Sequence, residues 1–502
     1  MKNLIPIINS LDSKEKRLIT KFFSIQTNGM EKKKLQLFDL ILSGKVKTDK
    51  EAAQKLYNST PNSAFSHVKR RLKKDLLNFI VLQGEGREKV SRLAQAEVDC
   101  RRMLLQGQLL LQRGIFNEGE KVLNDALEIA ESYEMFAEVL SIRNLLRLAS
   151  GFRKGLTAFE QYSSNMDYHL IELGKWLKMQ QYYNRIALPN EFQANKMIKF
   201  KDANDKILHE LEAYDENKSS VRFTFWYYVS KVHQNNVNRN FEEARENADE
   251  LLKLVAKESS IMSSDSSRGG ILKDVVFIHL NLRNYEKAVA YAREAVGVFK
   301  KGMINQLRTM DYLFFAHLRN KDYLAATQVI QDALKHKQIN TGNRLIKARW
   351  LFFRANLEYL QGDLDAAAKS LSTNDHITSD KSGWNLGYKL LQMMIHIDEN
   401  DLFLVDYQIK NFNRLLSPKK TETENIARAR VISKVIRLFI KHRGDFKETF
   451  EVAKEEIEAL TKGEGELFWD PMGYEVIRFD EWLKQKRDNK LNRRQRAFGE
   501  KD

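Results

Sequence analysis

Residues able to do covalent or metal chemistry are few in this chain and stand apart. The histidines are His67, His169, His209, His233, His279, His317, His336, His376, His396 and His442. No two fall within four residues of each other, so no helix face offers the pair of imidazoles that a helical metal site needs. Cys100 is the single cysteine. It can form no internal disulfide, belongs to no paired zinc spacing, and reads as a small apolar residue packed inside a helix. No glycine loop leads to a phosphate-binding lysine, and there is no nucleophile elbow. Glu455, Glu456 and Glu458 fit a solvated helix face. The expectation is a protein without catalytic residues, cofactor or metal, and therefore not an enzyme.

What remains is recognition chemistry, and its cations are unevenly placed. The 502-residue chain has a net charge of +16. Residues 1–90 account for +10 and residues 481–502 for +4, which leaves the long middle close to neutral. Such asymmetry points to an anionic partner at the ends. The sharpest candidate is a helix expected from Ser63 to about Gln83. Phe65, Val68, Leu72, Leu76 and Phe79 share one face, while Arg70, Arg71 and Lys74 point away and Lys69 and Lys73 flank them. A tail with Arg493, Arg494 and Arg496 is the second candidate. Two readings stay open for the N-terminal stretch. A short helix after Thr48-Asp49, a turn over 58–62 and this basic helix resemble a helix-turn-helix, whose second helix enters a DNA groove. Asn62 and Ser63 would then approach the groove. A small docking bundle with a solvated basic face predicts the same pattern, and there Asn62 and Ser63 are simply a helix cap.

The elements that carry the rest of the chain are announced by a recurring phrase. Tyr285 is followed at offsets of three, seven and ten by Ala288, Ala292 and Ala295. These positions share one helical face and permit close approach of a second helix. Phe241 is followed by Ala244, Ala248 and Leu251, and Tyr323 by Ala326, Ile330 and Ala333. Leu364 is followed by Ala367 and Leu371, Phe116 by Gly119, Leu123 and Ala126, and Phe446 by Thr449 and Ala453. A polar residue usually precedes the turn residue, as at Asn240, Asn284, Asp322, Asp363 and Asp445, with Gly362 and Gly444 one step earlier. Weaker copies turn near Leu156, Phe200 and Phe403. No proline occurs between Pro189 and Pro418, which suits a long run of helices.

An aromatic in the turn, a small residue three on, an apolar one seven on and a small one ten on resemble the second helix of a tetratricopeptide repeat. The resemblance covers roughly residues 93–462. It implies an all-α superhelical solenoid of about nine helical hairpins. The chain departs from the family in two ways. The first-helix glycine is replaced by Val276, Phe314 and Ala355, and successive turn residues lie 44, 38 and 41 apart, against about 34 in the family. The family also implies a groove along the first helices that takes a protein or peptide segment. Tyr183, Asn184, Arg185, Asn235 and Asn356 would offer hydrogen bonds there. Only Asn356 matches the asparagine of the family's carboxylate clamp. Its counterparts are Phe277 and Phe315, so a full clamp is not expected. The aromatics of the first helices, such as Phe314, Phe315, Trp350, Phe352 and Phe353, read as interhelical core.

The expected organisation is a basic helical domain over 1–82, a linker over 83–92, repeats over 93–462, a capping helix over 463–490 and a basic tail over 491–502. Within the cap the helix is expected from about Met472 to Lys490. Loops are expected at 259–270, 372–383 and 417–425. The N-terminal apolar run is too short and broken for a signal peptide, and no stretch is long enough to span a membrane. The sequence therefore supports a cytoplasmic scaffold that binds a protein segment. The alternative is a nucleic-acid-binding regulator with the repeats as sensor or dimerisation module.

Overall fold

In the computed structural model the described residues are 1–25, 29–82, 91–192, 209, 220–258, 265–340, 344–372, 383–416 and 425–488. They are helical, with no strand among them. The expected linker core at 83–90, the turn at Phe200, residues 259–264, 373–382 and 417–424 of the three long loops and the tail with Arg493, Arg494 and Arg496 lie outside the described residues, while 265–270, expected as loop, are helical. The chain divides into two compact units, Met1–Ser163 and Ser164–Asp502.

The first unit opens with five short helices: α1 (Leu4–Ser10), α2 (Ser13–Ile25), α3 (Gly29–Leu42), α4 (Asp49–Tyr57) and α5 (Ser63–Leu82). They enclose a core of their own that includes Leu4, Ile8, Phe23, Phe38, Phe65 and Leu72. Local chemistry fixes the helix starts. The Asp12 side chain accepts from the Glu15 amide at 2.7 Å while Glu15 accepts from the Asp12 amide at 2.8 Å. Thr48 and Glu51 form the same reciprocal box on α4. Helix α1 escapes a reading of the sequence because Pro6 interrupts it. Proline is tolerated in a first turn, where its missing N–H has no helical partner to lose. Two hairpins follow, α6 (Arg92–Gln112) with α7 (Phe116–Ser132) and α8 (Phe136–Lys154) with α9 (Leu156–Ser163).

The second unit begins with α10 (Met166–Phe192). Six hairpins come next: α11 (Val221–Asn238) with α12 (Phe241–Lys257), α13 (Asp265–Asn281) with α14 (Tyr285–Val298), α15 (Ile304–Arg319) with α16 (Tyr323–Lys335), α17 (Arg344–Leu360) with α18 (Leu364–Ser372), α19 (Trp384–Asp398) with α20 (Leu402–Leu415), and α21 (Asn425–Lys441) with the broken pair α22 (Phe446–Val452) and α23 (Lys454–Lys462). Each helix packs on the next in chain order, the pattern of a helical-repeat solenoid. The small residues of the recurring phrase are the contact. Ala244, Ala248, Ala288, Ala292, Ala295, Ala326, Ala333, Ala367 and Ala453 are all buried. The first-helix aromatics fill the space between hairpins: the Phe314 and Phe353 rings stack at 4.9 Å, with Trp350 5.5 Å from Phe353.

One turn geometry repeats along this stack. The residue after each first helix, or one or two further on, is left-handed: Arg239, Arg283, Lys321, Gly362 and Asn400, with φ of 65°, 59°, 59°, 88° and 60°. The next amide then bonds back five residues, as Asn240 to Asn235, Asn284 to His279, Asp322 to His317, Asp363 to Glu358 and Asp401 to His396. This six-to-one bond closes the helix end. The Asp322, Asp363 and Asp401 side chains then cap the next helix.

The C-terminal stretch differs from the single helix expected from about Met472. A short 3₁₀ turn, Gly465–Leu467, leads into irregular chain, and the last helix among the described residues, α24, begins only at 479 and is described to 488. Tyr474 and Ile477, placed on that helix by their spacing, lie before it. Their neighbourhood contains Pro471 and Gly473, and its carbonyls are used by Arg319 instead of by a helix.

Candidate binding surface: the first helices and the returning C-terminal segment

The basic face of α5 is arranged as its spacing implies. Phe65, Val68, Leu72 and Leu76 are buried, Arg70, Arg71 and Lys74 are exposed, and Lys69 and Lys73 are half-buried. Lys69 is engaged: its ammonium contacts both Asp49 oxygens, at 2.9 and 2.7 Å. An Arg70 guanidinium nitrogen lies 3.0 Å from His67 Nδ1. Asn62 caps the helix by accepting from the Phe65 amide at 2.9 Å.

Of the five residues expected in a groove, Tyr183, Asn184, Arg185 and Asn235 lie on the packed pair α10 and α11, and Asn356 lies on α17. Tyr183 packs on Trp226 at 5.2 Å and on His233 at 6.0 Å, while Asn184 and Arg185 are exposed on α10. Asn235 is 5% exposed and Asn356 only 2%. The Asn356 amide donates to the Phe352 carbonyl one turn back, at 2.8 Å. It is committed to its own helix and presents nothing to a ligand. Cys100 is likewise internal. Its thiol is pushed up to about 11 by burial, far from a reactive thiolate.

The residues that do form a surface come from the ends of the first helices, and residues 465–488 lie across them. Arg239 stacks over Phe468 at 4.3 Å and donates to the Gly465 carbonyl. Arg319 donates through Nε and Nη2 to the Pro471 carbonyl at 3.0 and 2.6 Å, and through Nη1 to Val476 O at 2.7 Å. Its guanidinium also covers Trp469 at 4.6 Å. Burial pulls Arg319 down to about 10. Trp482 Nε1 donates to the Tyr359 hydroxyl at 2.7 Å, and that hydroxyl donates to Asp398 at 2.6 Å. Lys486 contacts the same carboxylate. Gly387 on α19 lets the Tyr474 carbonyl come so close that a Cβ would collide with it. A buried ionic knot anchors the segment. Arg428 pairs with Glu475 at 2.6 Å and with Asp480 at 2.7 Å, and donates to the carbonyls of Leu460 and Leu467.

Between this segment and the hairpin turns lies a recess of about 990 Å³, the upper end of the usual size for a ligand site. Arg283, Tyr285, Lys321 and Tyr323 of two successive turns line it, together with Trp469, Arg478 and Trp482 of the segment. Sequence reading missed it, because the turn phrase names the aromatics but not the distant segment that faces them. The available signal was the repetition of a cation two residues before the turn aromatic, at Arg239, Arg283 and Lys321.

Among the described residues no group of three or more His, Cys, Asp and Glu side chains could hold a metal, and no helix is long and apolar enough to cross a membrane. No protein-family model matches the chain, and no curated protein does. Among solved structures it is similar to a Rap protein crystallised in complex with competence and sporulation factor, at 12% identity and a TM-score of 0.43, over 71% of this chain and 99% of that one. A likeness of that size carries no functional weight.

Proposed function

We propose that the protein is a non-enzymatic helical-repeat scaffold that binds a segment of another protein along the ends of its first helices. The observation that carries this reading is the way residues 465–488 lie there. Between the 3₁₀ turn and α24 they are irregular chain, and beside the ionic anchor at Arg428 they are held by contacts any peptide can offer: main-chain carbonyls on Arg319, and aromatic side chains against Arg239, Arg319 and Tyr359. A face that holds its own chain in this manner has the chemistry to hold another.

The test is selection of peptides from a random library on the full chain, followed by titration against Tyr285→Ala and Tyr323→Ala variants. The expected result is micromolar peptides that lose at least tenfold in affinity with these changes. Failure to select any peptide, or equal affinity for the variants, contradicts the proposal.

A second contact is proposed for α5, because Arg70, Arg71 and Lys74 stand exposed together on one face. The alternative partner there is nucleic acid. Phosphate contacts weaken steeply with salt, whereas a docked apolar segment does not.

A further inference from the structure

We propose that the recess between the returning C-terminal segment and the hairpin turns takes an acidic peptide segment, with its carboxylates on Arg283 and Lys321 and its apolar side chains against Tyr285 and Tyr323. This rests on the scaffold reading above and adds the partner's chemistry and position.

Charge complementarity is the first argument. Five cations line the recess against two carboxylates, Asp398 and Glu481. Asp398 is taken up by Lys486. Glu481 is shared between Arg478 at 3.3 Å and Arg283 at 4.0 Å. Arg319 meets carbonyls and also feels the Asp470 carboxyl, and Arg478 pairs with Asp480 at 3.1 Å. Lys321 is exposed, and Arg283 is 67% exposed at the mouth. The positive charge is therefore concentrated at the mouth, on Lys321 and Arg283, and an acidic chain entering there gains where a basic one is repelled.

The backbone supplies the second argument. Arg283 and Lys321 occupy left-handed positions that glycine fills at no steric cost, as Gly362 does in the equivalent turn. A side chain other than glycine or asparagine there carries a conformational penalty. Two long cations stand at such positions in neighbouring hairpins, each two residues before a tyrosine, so that a cation and a tyrosine recur at the spacing of the stack. A segment running along the turns meets carboxylate and apolar subsites in alternation.

The experiment uses the full chain and three fluorescent twelve-residue peptides that alternate tyrosine or leucine with Glu, with Gln or with Lys. The expected result is that the Glu peptide binds at least tenfold more tightly than the Gln peptide at low salt. The Lys peptide should not bind, and Arg283→Glu with Lys321→Glu should remove the preference for Glu. Both substitutions are at exposed positions, so helix content by circular dichroism should be unchanged. If Gln and Glu peptides bind equally, and Tyr285→Ala and Tyr323→Ala still weaken them, the acidic preference is overturned and the scaffold reading survives. If none of the three binds and library selection also fails, both fall. If the Glu peptide binds but the doubly reversed protein binds it equally, the assignment to this recess is wrong.

Discussion

Arg428 carries its guanidinium into a place without water and meets two carboxylates and two carbonyls there. Replacing a whole buried ionic cluster by apolar residues is often neutral, but removing one member leaves a buried charge unpaired and costs about 3–5 kcal/mol. Arg428→Met should therefore free residues 475–483 from their anchor, read as lost amide protection and a lower urea midpoint. Arg428→Lys should recover only part of the loss, since an ammonium cannot reproduce the two-pronged contact with Glu475. Asp311 gives a pH signature. Burial raises its carboxyl to about 6, against the pull of Arg349. Its folded value lies above its unfolded one, so the ionised form opposes folding at pH 7 and the penalty is relieved as pH falls through 6. Relative to Asp311→Asn, the natural protein should gain about 1 kcal/mol between pH 7 and pH 5, measured by urea unfolding at both. His279 and His317, lowered chiefly by burial, act the other way: they favour the neutral form and lose stability as pH falls below 6.5. They contribute equally to both proteins and cancel in the comparison.

At the scale of elements the question is what brings helices and the C-terminal segment so close. Ala292 is buried in the contact face of α14. Ala292→Leu should cost about 1–3 kcal/mol by overpacking, whereas a change at exposed Ala290 should cost almost nothing. Gly387→Ala tests the C-terminal segment itself. The added methyl meets the Tyr474 carbonyl, which is backbone and cannot rotate away. The expected outcome is displacement of the segment, seen as a red shift of Trp469 and Trp482 fluorescence and faster proteolysis near residue 464, with α19 intact. The repeat hairpins were legible because each turn phrase carries its whole mechanism locally: an aromatic, a polar cap and small residues on one face. Gly107, nine before Phe116, even supplies the first-helix glycine that Val276, Phe314 and Ala355 lack, and a Cβ there would strike Leu123. Helix α1 was hidden by a proline in its first turn. The extent of α24 was hidden because Arg319, more than 150 residues upstream, captures the carbonyls that helical spacing assigns to a helix. Asn356 was misplaced for a related reason. Hydrogen-bonding side chains mark a groove only when they face out, and Asn356 satisfies itself inside its own helix.

For the whole molecule, charge is partitioned along the chain. The basic excess belongs to residues 1–90 and to the last 22, while the repeats are nearly neutral yet place Lys321 and Arg283 at the mouth of the recess. The two contacts should separate experimentally. Replacing Arg70, Arg71 and Lys74 by Glu should abolish any salt-sensitive binding of duplex DNA while leaving peptide affinity within a factor of two. If those changes leave DNA binding intact, α5 is not a nucleic-acid contact. The central claim is that the ends of the first helices form a peptide-binding surface shared with the returning C-terminal segment. The most direct measurement is amide hydrogen exchange on the full chain with and without a saturating selected peptide. Binding at this surface should add protection at the turns around residues 283–285 and 321–323 and change the exchange of residues 465–488, with α1–α5 unaffected. Protection confined to α1–α5, or none at those turns, would contradict it.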